Sequence, residues 1–290
     1  MFVRVPEYHG DHIEEVITVY DPVQGTWEQL PPIPHFPGRF KTMLSLCRCL
    51  RVNRKLVFIY GQNPKGVQHT VFIYDFSCGK WSLGRDIPLQ AATTAFSVSP
   101  EGLIYVAGGL KFGWNTAREA AVYNVEKDEW KLLPPMNQPR AYCIGAFIDR
   151  KFFVFGGFSN MYGGDLEMDA EVYDPEKGTW ATLVNMWTDR NGEINVPKEY
   201  AAASFNGVLY WFQEEDGAVK LYDSRENVWR AVGYLPQTFG KITCCTAWRD
   251  RIFLSAYFHG KSCLYVDGKA RDNVFYMWKP LHTGCGAKLS

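Results

Sequence analysis

The chain has six histidines, at positions 9, 12, 35, 69, 259 and 282. Metal chemistry would need some of them to recur as pairs at ligand spacing, and they do not. Glu214-Glu215-Asp216 is a cluster of carboxylates, but it directly precedes Gly217 and reads as a solvated turn. Cys47 and Cys49 would share one face of a strand, yet no second Cys or His pair follows at zinc-site spacing. No Gly-rich phosphate loop stands at a strand-to-helix junction. The chemistry that remains is recognition. Arg39 in Pro37-Gly38-Arg39 and Arg140 in Gln138-Pro139-Arg140 each stand just ahead of an apolar run, and Lys198 and Lys241 take similar places. Such cations can pair with acidic or phosphorylated groups; alternatively they bond loop carbonyls. Trp114 and Asn115, and Asn160, Met161 and Tyr162, lie in glycine-flanked loops. There they either anchor a partner, as exposed aromatics do, or fold back over a sheet edge.

The elements that must position these residues repeat. A Tyr is followed seven positions later by a Trp at Tyr20/Trp27, Tyr74/Trp81, Tyr123/Trp130, Tyr173/Trp180 and Tyr222/Trp229. The Trp positions advance by 54, 49, 50 and 49, and a further 49 reaches Trp278. Apolar runs of four to seven residues are separated by Gly, Pro, Asn and Asp, and no segment carries a 3.6-residue period over twelve positions. Each unit reads as four strands. In the unit ending at Trp180 these are Tyr142–Ile148, Phe152–Phe155, Ala170–Asp174 and Thr179–Leu183. The first and second are joined by Asp149-Arg150-Lys151, the third and fourth by Asp174-Pro175-Glu176-Lys177-Gly178.

A four-stranded sheet with apolar residues on both faces must stack on its neighbours, and a radial stack at this period closes into a β-propeller. Six Trp marks predict an all-β fold with six four-stranded blades, at roughly 1–32, 33–86, 87–135, 136–187, 188–235 and 236–281. Phe2–Val5 falls where a second strand belongs, so the first blade is incomplete, and residues 282–290 form a tail. Leu281–Ser290 is the candidate closing strand, a poor one with Gly284 and Gly286. The last unit stretches its third-to-fourth connection through Asp267–Asp272. Trp27, Trp81, Trp130, Trp180, Trp229 and Trp278 read as wedges between blades, and the doublets Gly108-Gly109 and Gly156-Gly157 as points of backbone crowding.

Bulk properties narrow the function. Formal charge is zero, from 31 basic and 31 acidic residues, which argues against a generic nucleic-acid or anionic-membrane surface. No apolar run reaches the roughly 20 residues of a membrane helix, and no signal peptide is evident, so the expected compartment is cytosol or nucleus. The eight cysteines read as reduced thiols, mostly in strands.

An apolar strand ending in a Gly doublet (Val106–Gly109, Val154–Gly157), then Tyr, then Trp seven residues on, resembles the kelch repeat. The pattern Ile17–Tyr20, Trp27-Glu28-Gln29-Leu30-Pro31-Pro32-Ile33-Pro34, Cys47-Arg48-Cys49-Leu50, Val71–Phe76 and Lys80-Trp81 is similar to the plant F-box/kelch-repeat proteins. Departures are Tyr60-Gly61, with one Gly, and Trp211-Phe212-Gln213 and Ser255-Ala256-Tyr257, with none. The resemblance implies a non-catalytic, cofactor-free propeller that recruits a target protein to an SCF-type (Skp1-cullin-F-box) ubiquitin ligase for degradation. Skp1 and cullin become partners only through an F-box upstream of Met1, since about fifteen residues precede the first clear repeat strand. It also supports a binding role for the Arg at Arg39 and Arg140. The rival reading is a kelch enzyme of copper-oxidase or iron-assisted specifier type, which the scattered histidines do not favour.

Antiparallel order places the second-to-third connections and the passages between units on one face. The long loops there, Asn63–His69, Leu110–Ala117, Phe158–Met168 and Asn185–Lys198, mark the expected binding surface. The residues assigned to it are Arg39, Arg140, Trp114, Asn115, Asn160, Tyr162, Lys198 and Lys241.

Overall fold

The computed structural model describes residues 2–4, 17–21, 24, 26–34, 47–62, 68–92, 94–160, 167–187, 202–205, 207–213, 216–235, 241–248, 251–258, 261–271, 274–275 and 279–280. They form six antiparallel sheets. The first holds β1 (Phe2–Arg4), β2 (Thr18–Asp21) and β3 (Thr26–Gln29). The second holds β4 (Cys47–Val52), β5 (Lys55–Gln62), β6 (Gln68–Asp75) and β7 (Lys80–Gly84). The third holds β8 (Ala95–Val98), β9 (Leu103–Ala107), β10 (Ala120–Asn124) and β11 (Glu129–Leu133). The fourth holds β12 (Ile144–Ile148), β13 (Lys151–Phe155), β14 (Ala170–Asp174) and β15 (Thr179–Leu183). The fifth holds β16 (Ala202–Phe205), β17 (Val208–Phe212), β18 (Ala218–Asp223) and β19 (Val228–Tyr234). The sixth holds β20 (Lys241–Trp248), β21 (Arg251–Phe258), β22 (Lys261–Arg271), β23 (Val274–Phe275) and β24 (Lys279–Pro280).

Each sheet is an up-and-down meander, and the first strands β4, β8, β12, β16 and β20 lie beside one another in turn, as the inner ring of a propeller requires. The first sheet begins at the second-strand position: β1 pairs with β2, placing Phe2 opposite Tyr20. Residues 281–290, the candidate closing strand, and Trp278 lie outside the described residues.

Two expectations are corrected. Asp267–Arg271 is not a connection but the end of the 11-residue strand β22, and the fourth-strand place is divided between β23, opposite Ala270 and Arg271, and β24, opposite Tyr265 and Val266. The inner strand of the fourth sheet starts at Ile144 rather than Tyr142, because Tyr142 adopts φ +57 and breaks the extended run. Strands β14 and β15 fall where expected.

The second strands explain why simple alternation is hard to read in the sequence: both of their faces are buried. In β5, Leu56, Phe58 and Tyr60 pack toward the first sheet with Ile17, Val19 and Leu30, while Val57 and Ile59 pack toward the third with Ile104, Val106 and Tyr123. In β13, Phe152 and Val154 meet Tyr105 and Ala107, while Phe153 and Phe155 meet Leu209, Trp211 and Tyr222. In β17, Tyr210 and Phe212 turn to Ile242, Ile252 and Leu254 of the sixth sheet. Each such large side chain contributes on the order of 1.5–3 kcal/mol by leaving water.

The Tyr and Trp of every visible repeat are direct cross-strand partners: Tyr20 with Trp27, Tyr74 with Trp81, Tyr123 with Trp130, Tyr173 with Trp180 and Tyr222 with Trp229. In the second to fifth sheets the rings touch, at 5.2 Å between centroids for Tyr173 and Trp180 and 4.5 Å, stacked, for Tyr123 and Trp130. The turn between them is built the same way in the third, fourth and fifth sheets. Asp174 Oδ1 accepts the N–H groups of Glu176 and Lys177 at 3.0 and 3.2 Å, and Asn124 and Asp223 do likewise with the residues two and three ahead. The residue two before the Trp is left-handed, whether Gly79 (φ +68), Asp128 (φ +52), Gly178 (φ +69) or Asn227 (φ +52). Desolvation pushes the Asp174 and Asp223 carboxyls up, but the turn N–H groups, with Lys151 and Arg230, outweigh it and leave both below the ordinary carboxylate range.

The Trp indole N–H then crosses to the preceding sheet's exit. Nε1 of Trp81 donates to Pro31 O at 2.7 Å, of Trp130 to Arg85 O at 2.8 Å, of Trp180 to Pro134 O at 2.7 Å and of Trp229 to Met186 O at 2.9 Å. Trp180→Phe should keep the ring contact but lose the bond, lowering stability in urea denaturation by about 1–3 kcal/mol. An unchanged midpoint would show that the bond contributes nothing.

His69, in β6, is 3% exposed and its Nδ1 has no partner. Burial lowers its pKa to about 4, with Asp86 opposing the shift and Arg48 adding to it. The unfolded chain takes up this proton near 6.5, so the unfolded state binds more protons between pH 6.5 and 4. Stability is therefore complete above pH 6.5 and falls as the pH drops through that window, by up to about 3 kcal/mol. His69→Gln should flatten that part of the pH profile of the urea midpoint. Parallel wild-type and variant profiles would refute the assignment.

Candidate functional site

The connections between second and third strands interlock with the passages that enter each sheet, which puts both on one face of the ring. Leu110 bridges Ala92 on one side and Thr116 on the other, and Ala141 bridges Phe158. Thr116 Oγ1 donates to Ser159 O at 2.5 Å, joining the loop of the third sheet to that of the fourth.

Glycine is required where these segments cross. Gly109 has φ +114, and a Cβ there would lie 2.5 Å from Ala92 O; Gly157 has φ +80, and its Cβ would lie 2.3 Å from Ala141 O. Ala92 and Ala141 occupy the same place in successive sheets, so one backbone crossing explains both doublets.

Of the residues assigned from sequence, the structure brings Trp114, Asn115 and Asn160 to this face and leaves them exposed. The loop Leu110–Thr116 closes on itself through Lys111 N to Asn115 O at 2.7 Å, and its tip is a 3₁₀ turn, Phe112–Trp114. Phe112 is 76% and Trp114 58% exposed; Tyr142 and Phe158, in the adjoining segments, are each 36% exposed. Trp114 (φ +64) and Tyr142 (φ +57) are both held in the left-handed region, which side chains larger than glycine's adopt at a cost of about 1–3 kcal/mol. Sequence reasoning missed Phe112, Tyr142 and Phe158. Phe112 and Phe158 sit in the two loops already singled out, and only the strand boundary at Ile144 frees Tyr142 from the sheet.

Arg140 takes the second of the two roles open to it, bonding loop carbonyls. It is 0% exposed, and its Nη1 donates to Asp169 O at 2.8 Å and Gly156 O at 3.3 Å, the two ends of the loop that carries Phe158 and Asn160. Its backbone holds the neighbouring loop, with N donating to Ala117 O at 2.9 Å and O accepting from Gly109 N at 2.8 Å. Arg140 thus braces both loops from beneath. Arg39, Tyr162 and Lys198 lie outside the described residues, as does the side chain of Lys241, whose backbone begins β20.

Nearby Glu171, also fully buried, accepts Asn137 N at 3.1 Å and Nδ2 at 3.0 Å and the Thr182 hydroxyl at 3.1 Å, fixing the passage between the third and fourth sheets. Among the described residues no group of three or more His, Cys, Asp or Glu could hold a metal ion. Asn185–Lys198, expected as a long loop, starts with a core segment: Met186 and Trp187 are buried, Trp187 stacking on Trp229 with centroids 4.8 Å apart.

The sheet order, the doublets and the Tyr–Trp hairpins coincide with a match to the Kelch motif at residues 94–137 and 139–186, the third and fourth sheets. The third and fourth sheets are kelch repeats, and the fold is a kelch-type propeller. The chain's similarity to known proteins extends to the F-box/kelch-repeat protein SKIP20 of Arabidopsis thaliana, 33% identical over 202 residues that make up 66% of this chain and 47% of that protein. The F-box/kelch-repeat protein At1g80440, from the same plant, is 28% identical over 244 residues, 83% of this chain and 64% of that protein. The propeller chain therefore spans about half to two thirds of the length of these relatives.

In this propeller, Arg140→Ala would strand two carbonyls and remove a buried brace. The expected loss is about 2–4 kcal/mol of stability, with faster amide exchange at Phe158 and Glu167, whose N–H groups bond Ala141 O and Gly157 O. Unaltered exchange at those two amides would show that Arg140 does not brace the loop.

Proposed function

We propose that the propeller is a non-catalytic protein-binding module and the target-recognition part of an SCF-type ubiquitin ligase receptor. The observation that supports it most directly is the set of exposed aromatics on the loop face: Phe112, Trp114, Tyr142 and Phe158, set on interlocked loops over a rigid ring. The repeat packs its Tyr and Trp rings in the sheets, whereas these four stand outside the repeated Tyr–Trp pairs. Large exposed rings on rigid supports are the residues that dominate binding energy in interfaces. The link to degradation rests on the similarity to F-box/kelch-repeat proteins. In this reading Skp1 and cullin are reached through an F-box joined to the propeller, and the propeller holds the protein to be degraded. Arg140 contributes by positioning the loops.

The test separates binding from degradation. Tagged propeller is recovered from plant cells held under proteasome inhibition, beside Phe112→Ala and Trp114→Ala variants that melt at the wild-type temperature. Proteins retained by wild type and lost, by tenfold or more, from both variants are the expected targets. Their half-lives should lengthen when the endogenous protein is depleted. Targets with unchanged half-lives would refute the ligase role while leaving the binding role intact. Retention indifferent to both variants would refute the site.

A further inference from the structure

The loops of the third and fourth sheets share one piece of backbone. Arg140 and Ala141 run between them: Arg140 N donates to Ala117 O and Arg140 O accepts from Gly109 N on one side, while Ala141 exchanges two bonds with Phe158, at 3.0 and 2.9 Å, on the other. Neither loop base can lift without freeing polar backbone groups of the segment it shares with its neighbour. Buried or half-buried, such groups are costly to leave unpaired.

Two side chains add to this link, and the repeat requires neither. Arg140 Nη1 reaches Gly156 O and Asp169 O, at the base of the fourth sheet's loop. In the third sheet the same place, one residue before Ala92, is held by Ala91, whose methyl group can bond nothing. Thr116 Oγ1 donates to Ser159 O at 2.5 Å, and both residues are half-buried, so water competes poorly for the bond. This bond ties one loop directly to the other, away from the shared segment. Opening either loop alone would break these links and leave the rest of the closed arrangement in place; opening both breaks them once. Contacts shared in this way make neighbouring segments open together.

We propose that the loops of the third and fourth sheets form one cooperative unit, which opens and closes as a whole and carries a disturbance at Trp114 to Phe158, with the Thr116 hydroxyl as the coupling group. Exposed rings on the two loops are then presented or withdrawn together. The inference concerns the motion of the loops themselves and holds whatever the surface binds.

Native-state amide hydrogen exchange on the folded full chain, followed residue by residue by NMR across a series of low urea concentrations, tests it. The reporters are the amides of Lys111, bonded to Asn115 O in the third sheet's loop, and Phe158, bonded to Ala141 O at the fourth's. Gly178, whose N–H bonds Asp174 O in a hairpin turn on the opposite face, is the control. In wild type, Lys111 and Phe158 should exchange through one opening, with the same protection and the same urea dependence. Thr116→Val removes the hydroxyl and keeps the shape, and it should speed exchange at Phe158, in the other loop, by about five- to tenfold. Thr116→Ser, which keeps the donor, should restore the wild-type rate, and Gly178 should not change in either variant. Different urea slopes for Lys111 and Phe158 in wild type would overturn the single unit. A Phe158 rate indifferent to Thr116→Val would overturn the coupling through the hydroxyl. Acceleration shared equally by Gly178 would show a loss spread over the whole ring, which also overturns a separate loop unit.

Discussion

Most of the architecture depends on one hydrogen bond made four times among the described sheets: a Trp indole N–H on a fourth strand reaching a carbonyl in the passage that leaves the preceding sheet. The accepting residue lies four positions after the preceding Trp for Pro31, Arg85 and Pro134, and six for Met186. The bond couples the exit of one sheet to the hairpin of the next, so adjacent sheets cannot splay without breaking it. It also requires that the indole be held in place, which is the role of the opposing Tyr. That Tyr is positioned in turn by the Asx turn that sets the hairpin register. Tyr123 and Tyr222 add a bond from their own hydroxyls to Asp128 and Asn227 in the same turn. Local turn chemistry and the spacing between sheets are thus one device.

Burial of both faces follows from that spacing. Second strands such as β5, β13 and β17 turn alternate residues to opposite neighbours, so nearly every position must be apolar. Such strands leave little of their own surface for recognition, and the hairpin turns are short. The longer segments that the repeat does not dictate fall to the loop face, where the chain passes between sheets and from second to third strands. The backbone crossings at Gly109 and Gly157 keep even these segments close to the ring.

This division explains what was legible in the sequence. The period, β14 and β15, and the Asp-Pro-Glu-Lys-Gly turn could be read directly because each depends on contacts within about ten residues. Arg140 could be placed just ahead of an inner strand, but its direction could not, since Gly156 O and Asp169 O become its partners only after the fourth sheet has formed. Tyr142 looked like the start of a strand because its neighbours are apolar; its positive φ stands next to the Ala141–Phe158 bridge, a tertiary contact that a local reading does not contain. The Asp267–Arg271 segment looked like a turn from its Asp and Gly, yet β21 supplies a long enough partner to keep it in the sheet, with a register shift between Ile252 and Phe253. Trp187 shows the same limit: nothing in a loop-like stretch reveals that Trp229 and Trp211 leave room for a third indole.

The brace and the strain at the loop face are two sides of one arrangement. Left-handed Trp114 and Tyr142 cost stability, and they persist because the surrounding bonds leave their segments no alternative. Lys111 N to Asn115 O closes the first loop, Thr116 to Ser159 ties it to the second, and Arg140 fastens the base of both. A surface held this firmly loses little further freedom when something binds, so the ring and its brace lower the entropic cost of recognition before any partner arrives. Stability in the repeated hairpins is what allows two aromatic residues to be kept exposed in a backbone conformation they disfavour.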